Sequence, residues 1–186
     1  MRFASMRNLD ISNGEGVGVS LFVQGCDRHC FNCFNPDTWD FNGGKEWTEE
    51  AKNKFIKLID RPYINRISVL GGEPLAKQNL DEVLSLIKEI RISFPEKTIW
   101  LYTGFCWNDI MCSFAGLQAD CVVLDKKDIE AWEKRRKIIS NIDVLVDGEY
   151  IDEQKDLSLK FRGSKNQRVI DVKQSLAQNK IVLYCD

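Results

Sequence analysis

From Val17 to Val23 the chain reads VGVSLFV, an apolar and β-branched run that leads straight into Gly25 and a cysteine-rich stretch. That pattern predicts a strand followed by a functional loop. Thr48, with Glu50 and Ala51 after it, predicts the cap of a helix that continues through Phe55, Ile56 and Ile59 to Asp60, where Arg61-Pro62 stops it. Ile64 to Leu70 predicts a second strand, ending in Gly71-Gly72-Glu73-Pro74. Leu80, Val83, Leu84, Ile87 and Ile90 then recur at helical spacing, with Gln78 or Asn79 near the helix start. Thr98 to Tyr102 is a third strand, broken by Thr103-Gly104, and Ile142 to Val146 a later one that ends at Asp147-Gly148.

Strand, loop and helix thus repeat, which predicts an α/β fold with a mostly parallel sheet, crossover helices outside it and ligand loops at the carboxyl ends of the strands. The glycine- and cysteine-rich segments all fall at that end. Eight complete strand–helix units take about 250 residues. A chain of 186 residues therefore predicts an incomplete, open (β/α) barrel, whose open side leaves room for a large substrate. No internal repeat or linker interrupts the pattern, so residues 1–186 are expected to form one domain. Lys126 to Lys137 (KKDIEAWEKRRK) reads as a helix with an ordinary solvated face, the alternative being a docking surface for an acidic partner.

With 26 Lys and Arg against 28 Asp and Glu, the net charge of −2 excludes nucleic-acid binding by bulk charge. The 44% hydrophobic content can fill a core and excludes disorder as the main state. No run approaches the roughly 18 to 20 apolar residues of a membrane span. Residues Met1 to Gly16 lack the apolar core of a signal peptide, so a cytoplasmic location is expected. Seven cysteines are many for a reducing compartment, and an odd number cannot all pair internally. Metal ligation or redox chemistry follows as the first reading to test.

Cys26, Cys30 and Cys33 lie within eight residues, while Cys106, Cys112, Cys121 and Cys185 are scattered. Three thiolates in a Cys-x3-Cys-x2-Cys loop can hold three corners of a 4Fe-4S cubane, leaving the fourth iron open to a small molecule. A zinc site would need a fourth ligand such as His29, which sits beside Cys30 and is poorly placed to chelate the same ion; His29 reads as a solvent-facing loop residue. The scattered cysteines lack a close Cys-x2-Cys pair and read as free thiols. In Gly71-Gly72-Glu73-Pro74 the glycines admit a ligand close to the backbone, and Glu73 can receive an ammonium group. Gly14 to Gly18 precedes a strand instead of opening a helix, which excludes a dinucleotide fingerprint. No Ser/His/Asp constellation is visible.

The three-cysteine loop followed one strand later by GGEP resembles the radical S-adenosylmethionine superfamily. A narrower likeness lies in NGEG (Asn13 to Gly16), VSLFVQGC (Val19 to Cys26), CFNCFNPDTW (Cys30 to Trp39), GGEPL (Gly71 to Leu75), YTGF (Tyr102 to Phe105), DVLVDG (Asp143 to Gly148) and FRGSKNQR (Phe161 to Arg168). These segments are similar to the glycyl-radical activases of anaerobic ribonucleoside-triphosphate reductase. The resemblance implies a 4Fe-4S cluster on Cys26, Cys30 and Cys33 whose open iron chelates S-adenosyl-L-methionine. Gly72 and Glu73 would meet its amino group, and Asn32, Cys33 and Phe34 its adenine, with Asp147 and Arg162 nearby.

The same resemblance implies that an electron from a donor such as flavodoxin cleaves the cofactor, and that the 5′-deoxyadenosyl radical takes hydrogen from a glycine of the reductase catalytic subunit. Asn32 stands where many such enzymes have an aromatic residue, so the adenine contact is expected from the backbone. Gly18 stands where arginine is frequent, and the 105–141 stretch is longer than usual. Two other readings stand beside this one: a radical enzyme acting on a small molecule, in the manner of 7-carboxy-7-deazaguanine synthase, and a non-catalytic metal-binding module.

Overall fold

The computed structural model describes residues 1–112 and 125–185. Cys121 and much of the long 105–141 stretch lie outside them. Strands β1 (Arg2–Asp10), β2 (Gly18–Val23), β3 (Lys45–Glu46), β4 (Arg66–Gly71), β5 (Thr98–Tyr102), β6 (Val144–Asp147), β7 (Arg168–Asp171) and β8 (Leu183–Cys185) make one sheet. Its order is β3-β1-β2-β4-β5-β6-β7-β8. The helices are α1 (Glu49–Ile59), α2 (Leu80–Ser93), α3 (Trp107–Met111), α4 (Lys126–Ile139) and α5 (Val172–Gln178).

The four central strands β2, β4, β5 and β6 run parallel, as the repeating pattern predicts. Both flanks are antiparallel: β1 on β2, β3 on β1, β7 on β6 and β8 on β7. The sheet is therefore mixed, parallel only in its centre, and its edge strands β3 and β8 are not paired with each other. At the amino-terminal flank a short return joins β1 to β2, while at the other flank β7 follows β6 after a long connection and β8 follows β7 through α5.

Central strands buried on both faces read as continuous apolar runs, which is why β2 and β4 were legible from sequence. Val19, Leu21 and Val23 of β2 and Ile67 and Val69 of β4 join Phe55 and Ile59 of α1 and Ile87 and Ile90 of α2 in the main core. Trp100, Val144, Val146 and Val169 form a smaller core on the other face. The α1 cap is as expected, the Thr48 hydroxyl accepting from the Ala51 N–H at 3.2 Å. Asn79 precedes α2 without capping it; its amide donates instead to the carbonyls of Gln24 and Glu73, both at 3.0 Å. The α4 face is more engaged than a solvated face would be. Arg135 Nε donates to the Leu75 carbonyl at 2.9 Å, and its guanidinium lies 4.3 Å from the Phe105 ring centroid.

At the amino ends of the parallel strands, Arg66 is fully buried. Its Nη2 donates to the Asp10 carbonyl at 2.7 Å and lies 3.3 Å from Asp10 Oδ1, Nη1 donates to the Asn13 carbonyl and the Ser68 hydroxyl, and Nε donates to the Glu15 carbonyl at 3.2 Å. A Cβ on Gly18 would come within 2.9 Å of this guanidinium. The space that an arginine at 18 would need is thus filled by Arg66 from the neighbouring strand.

Candidate functional site

The carboxyl ends of β2, β4, β5 and β6 each run into a loop, and the loops after β2 and β4 meet through backbone hydrogen bonds. Gly72 N–H donates to the Val23 carbonyl at 2.9 Å, and Glu73 N–H to the Gly25 carbonyl at 2.7 Å. The GGEP turn is thereby fixed to the residue before Cys26. A Cβ on Gly72 would sit 2.5 Å from the Gly25 oxygen and 2.9 Å from the Thr38 oxygen, so glycine is required for this approach. The cysteine loop is closed at its base by Gly25 N–H to the Thr38 carbonyl at 2.8 Å and Cys26 N–H to the Trp39 carbonyl at 3.0 Å.

Cys26, Cys30, Cys33 and Glu73 line one cavity of about 640 Å³, together with Thr103 and Arg162. All three thiols are free. Cys30 Sγ donates to Glu149 Oε1 at 3.5 Å, and Cys33 Sγ accepts from the Asn35 N–H at 3.3 Å. Burial pushes the Cys26 and Cys30 thiols up, Cys30 to about 11 with the Glu149 carboxylate adding to the effect. Metal binding would release these protons, because the ligand is the thiolate.

The donor set fits an iron–sulfur cluster: three soft thiolates on a loop whose backbone is anchored at its base, facing a cavity. Among the described residues no three or more His, Cys, Asp or Glu side chains converge to hold a single ion. A cubane asks for a different arrangement, since its thiolates bind separate irons. His29 does not join the thiols; it is exposed and its ring packs on Trp39, centroids 4.7 Å apart.

Glu73 is buried, with 3% of its surface exposed. Its Oε1 accepts from Leu75 N–H at 2.9 Å and Thr103 Oγ1 at 2.7 Å, its Oε2 from Gly104 N–H at 2.8 Å. Burial pushes its carboxyl up, opposed by these donors and by Arg28, whose Nε lies 3.4 Å from Oε2. Three of about four acceptor positions are thus in use, and the remaining one on Oε2 is where a cation would sit.

The other expected site residues divide. Phe34 lines the cavity and packs on Tyr150, centroids 5.0 Å apart. Asn32, in the left-handed region at φ 54, is exposed and donates to Asp152 Oδ2 at 2.9 Å, away from the cavity wall. Asp147 is fully buried and structural: it accepts from Trp107 N–H at 2.7 Å, which orients α3, and from Arg168 through two donors. Arg162 lines the cavity, and its Nη1 donates to the Cys185 carbonyl at 3.5 Å. Cys106, Cys112 and Cys185 do not line this cavity. Sequence reasoning missed Arg28, Thr103 and Gly104. The YTGF segment held the signal, a Thr-Gly at a strand end, yet only the fold shows that it faces Glu73.

An α/β sheet with a three-thiol loop and a buried carboxylate at the carboxyl edge of its parallel strands defines a cluster-binding protein of the redox-cofactor class. The family described as "4Fe-4S single cluster domain" matches residues 12–170, and the chain belongs to it. It is similar to proteins named "Anaerobic ribonucleoside-triphosphate reductase-activating protein". The Salmonella typhi protein is 33% identical over 171 residues, 91% of this chain and 97% of its own. Those of Vibrio cholerae and of Enterobacteria phage T4 are 34% and 32% identical, over 90% and 91% of this chain and 96% and 93% of their own.

Proposed function

We propose that this chain is a radical S-adenosylmethionine activase that generates a glycyl radical on anaerobic ribonucleoside-triphosphate reductase. The observation that carries the reading is the cavity on which Cys26, Cys30, Cys33 and Glu73 converge, in a chain similar along nine-tenths of its length to proteins named as activators of that reductase. Residues 1–186 form a single radical SAM domain, an incomplete barrel with an open side.

Cys26, Cys30 and Cys33 hold the 4Fe-4S cluster. When bound and reduced by a one-electron donor such as flavodoxin, the cluster supplies the electron that splits the sulfonium of S-adenosyl-L-methionine into methionine and a 5′-deoxyadenosyl radical. Glu73 would accept from the cofactor's amino group at the open position on Oε2, with Gly72 giving the close backbone approach. Phe34 packs against the adenine, and the backbone at Asn32 and Cys33 completes that contact. The open side of the sheet would admit the glycine-bearing segment of the reductase, where the bound cofactor would supply hydrogen abstraction from the glycine Cα. The setting is cytoplasmic, and among the described residues no helix is long and apolar enough to cross a membrane.

The test is anaerobic reconstitution with iron and sulfide, reduction, and measurement of 5′-deoxyadenosine with and without the reductase. Cleavage stimulated by the reductase is expected. Cleavage that ignores the reductase and responds to a small molecule would place the chain with enzymes of the 7-carboxy-7-deazaguanine synthase kind. No binding of S-adenosyl-L-methionine would make it a non-catalytic cluster module.

A further inference from the structure

Past the cysteines, the cavity continues along the face of the sheet opposite the main core. Phe22 of β2 and its register partner Leu70 of β4 line it there, with Tyr102 of β5 and, from the segment between β6 and β7, Phe161 and Arg162. Tyr102 stands two residues beyond Trp100 and so shares its face of the strand. Phe22, Leu70 and Phe161 make this wall apolar, yet two polar atoms on it are buried and have no hydrogen-bond partner among the described residues: the Tyr102 hydroxyl and Arg162 Nε. Burial pushes the Tyr102 hydroxyl up, so it keeps its proton and can donate. Arg162 is held by its Nη1, which donates to the Cys185 carbonyl at 3.5 Å, and a Cβ on the next residue, Gly163, would come within 2.8 Å of the Phe34 ring. The segment that carries Arg162 is thus pressed against the ring assigned to the adenine. A buried donor without an acceptor costs free energy, and two on one cavity wall mark a place that a ligand completes.

Two donors ask for two acceptors. A glycine has no side chain, so a site that must hold one can read only its peptide groups, and the acceptors among these are carbonyl oxygens. We infer that Tyr102 and Arg162 hold the main chain of the partner's glycine-bearing segment, each donating to a peptide carbonyl beside the glycine. The assignment rests on the proposed function and names the residues through which that site takes its protein substrate. Holding the carbonyls on either side of one Cα fixes the Cα between them, which is the positioning that abstraction of a single hydrogen requires. The apolar wall of Phe22, Leu70 and Phe161 keeps water from competing for the two donors, and a hydrogen bond made there is stronger than one made in solvent. Tyr102 and Arg162 are then positioning residues for the partner, apart from the cysteines, Glu73 and Phe34 that serve the cofactor.

The test titrates the reductase catalytic subunit against cluster-reconstituted wild type, Tyr102→Phe and Arg162→Gln, reading the initial rate of glycyl radical formation by electron paramagnetic resonance, with S-adenosyl-L-methionine affinity measured in parallel by anaerobic calorimetry. Tyr102→Phe should raise the reductase concentration for half-maximal rate about three- to tenfold, and Arg162→Gln about tenfold or more, because a bond from a charged donor is worth more. Affinity for S-adenosyl-L-methionine should change by less than about twofold in both. Since the Tyr102 hydroxyl is unpartnered until the reductase arrives, Tyr102→Phe should not lower the thermal midpoint of the free protein, and it decides the matter if Arg162→Gln fails to fold. A wild-type titration curve in both variants, a lowered midpoint in Tyr102→Phe, or a loss of S-adenosyl-L-methionine affinity as large as the loss for the reductase would overturn the inference and leave the proposed function standing. Wild-type protein that cleaves S-adenosyl-L-methionine but forms no glycyl radical on the reductase would overturn the proposed function, and this inference with it.

Discussion

An arginine faces a carboxylate at each end of the parallel strands, and the two pairs are built differently. At the amino ends, Arg66 and Asp10 are both buried, and all three guanidinium nitrogens donate, to four carbonyl or hydroxyl oxygens in the 10–15 loop and β4. At the carboxyl ends, Arg28 approaches Glu73 and Glu149 only at 3.4 and 3.7 Å, and its buried Nε makes no hydrogen bond among the described residues. A saturated buried pair specifies a structure, because removing either member strands the other. A pair with donors and acceptors left open is incomplete until something binds. The difference separates the part of the molecule that holds the sheet together from the part that receives ligands.

The largest effect that would break this comparison concerns the ligand end. Changing Cys26, Cys30 or Cys33 singly to Ala should reduce reconstituted iron from about four per chain to background, since each removes one of three thiolates. Cys112→Ala and Cys185→Ala should leave it unchanged. Iron and sulfide analysis reads both, and a cluster that survived loss of Cys30 but not of Cys112 would reverse the assignment.

Next in size is the stability of the cluster-free protein. Asp10→Ala should cost about 3–5 kcal/mol in denaturant unfolding, the penalty for leaving a buried charge unpaired. Arg28→Gln should cost less than about 1 kcal/mol, because its pair is partly exposed and Glu73 keeps three other donors. Equal costs would erase the distinction between the two ends.

Acid sharpens the same contrast. Burial alone would raise the Asp10 carboxyl, but hydrogen bonds from the backbone and side chain of Asn13 and the backbone of Ser12 outweigh it and hold it at about 2, below the ordinary 3.8. A depressed value in the folded state means that this stabilisation is fully present above 3.8 and is lost as the pH falls towards 2, about 2 kcal/mol in all. Stability measured from pH 5 down to pH 2, values chosen to bracket that window, should fall less steeply in Asp10→Asn than in the wild type.

Smallest is Glu73→Gln. It should keep full iron content and weaken S-adenosyl-L-methionine by only about three- to tenfold, as a charge-assisted contact becomes a neutral one. Unchanged affinity in calorimetry would mean that Glu73 only shapes the turn after β4.

The parallel centre of the fold was readable because its strands are apolar on both faces and end in glycine. The flanks were not. β1 carries Ser5, Arg7 and Asn8 on exposed positions, and β7 and β8 are short and partly polar, so neither periodicity announces a strand. The cysteine loop and GGEP were legible as local motifs. Asp147 shared the position typical of a site residue, at the carboxyl end of a strand, yet its side chain serves Arg168 and α3, a role set by a pairing of β6 and β7 that sequence spacing does not reveal. Arg28 was hidden by its neighbours: among cysteines it reads as a loop residue, and its partners are 45 and 121 positions away.

The central claim is that the carboxyl end of this sheet passes a hydrogen atom from a partner's glycine to the cofactor. The reductase catalytic subunit, made with glycine deuterated at Cα, should be turned over with the reduced, reconstituted protein and S-adenosyl-L-methionine. The account predicts deuterium in 5′-deoxyadenosine and a glycyl radical signal by electron paramagnetic resonance. Cofactor cleavage with no deuterium in the product and no glycyl signal would contradict it.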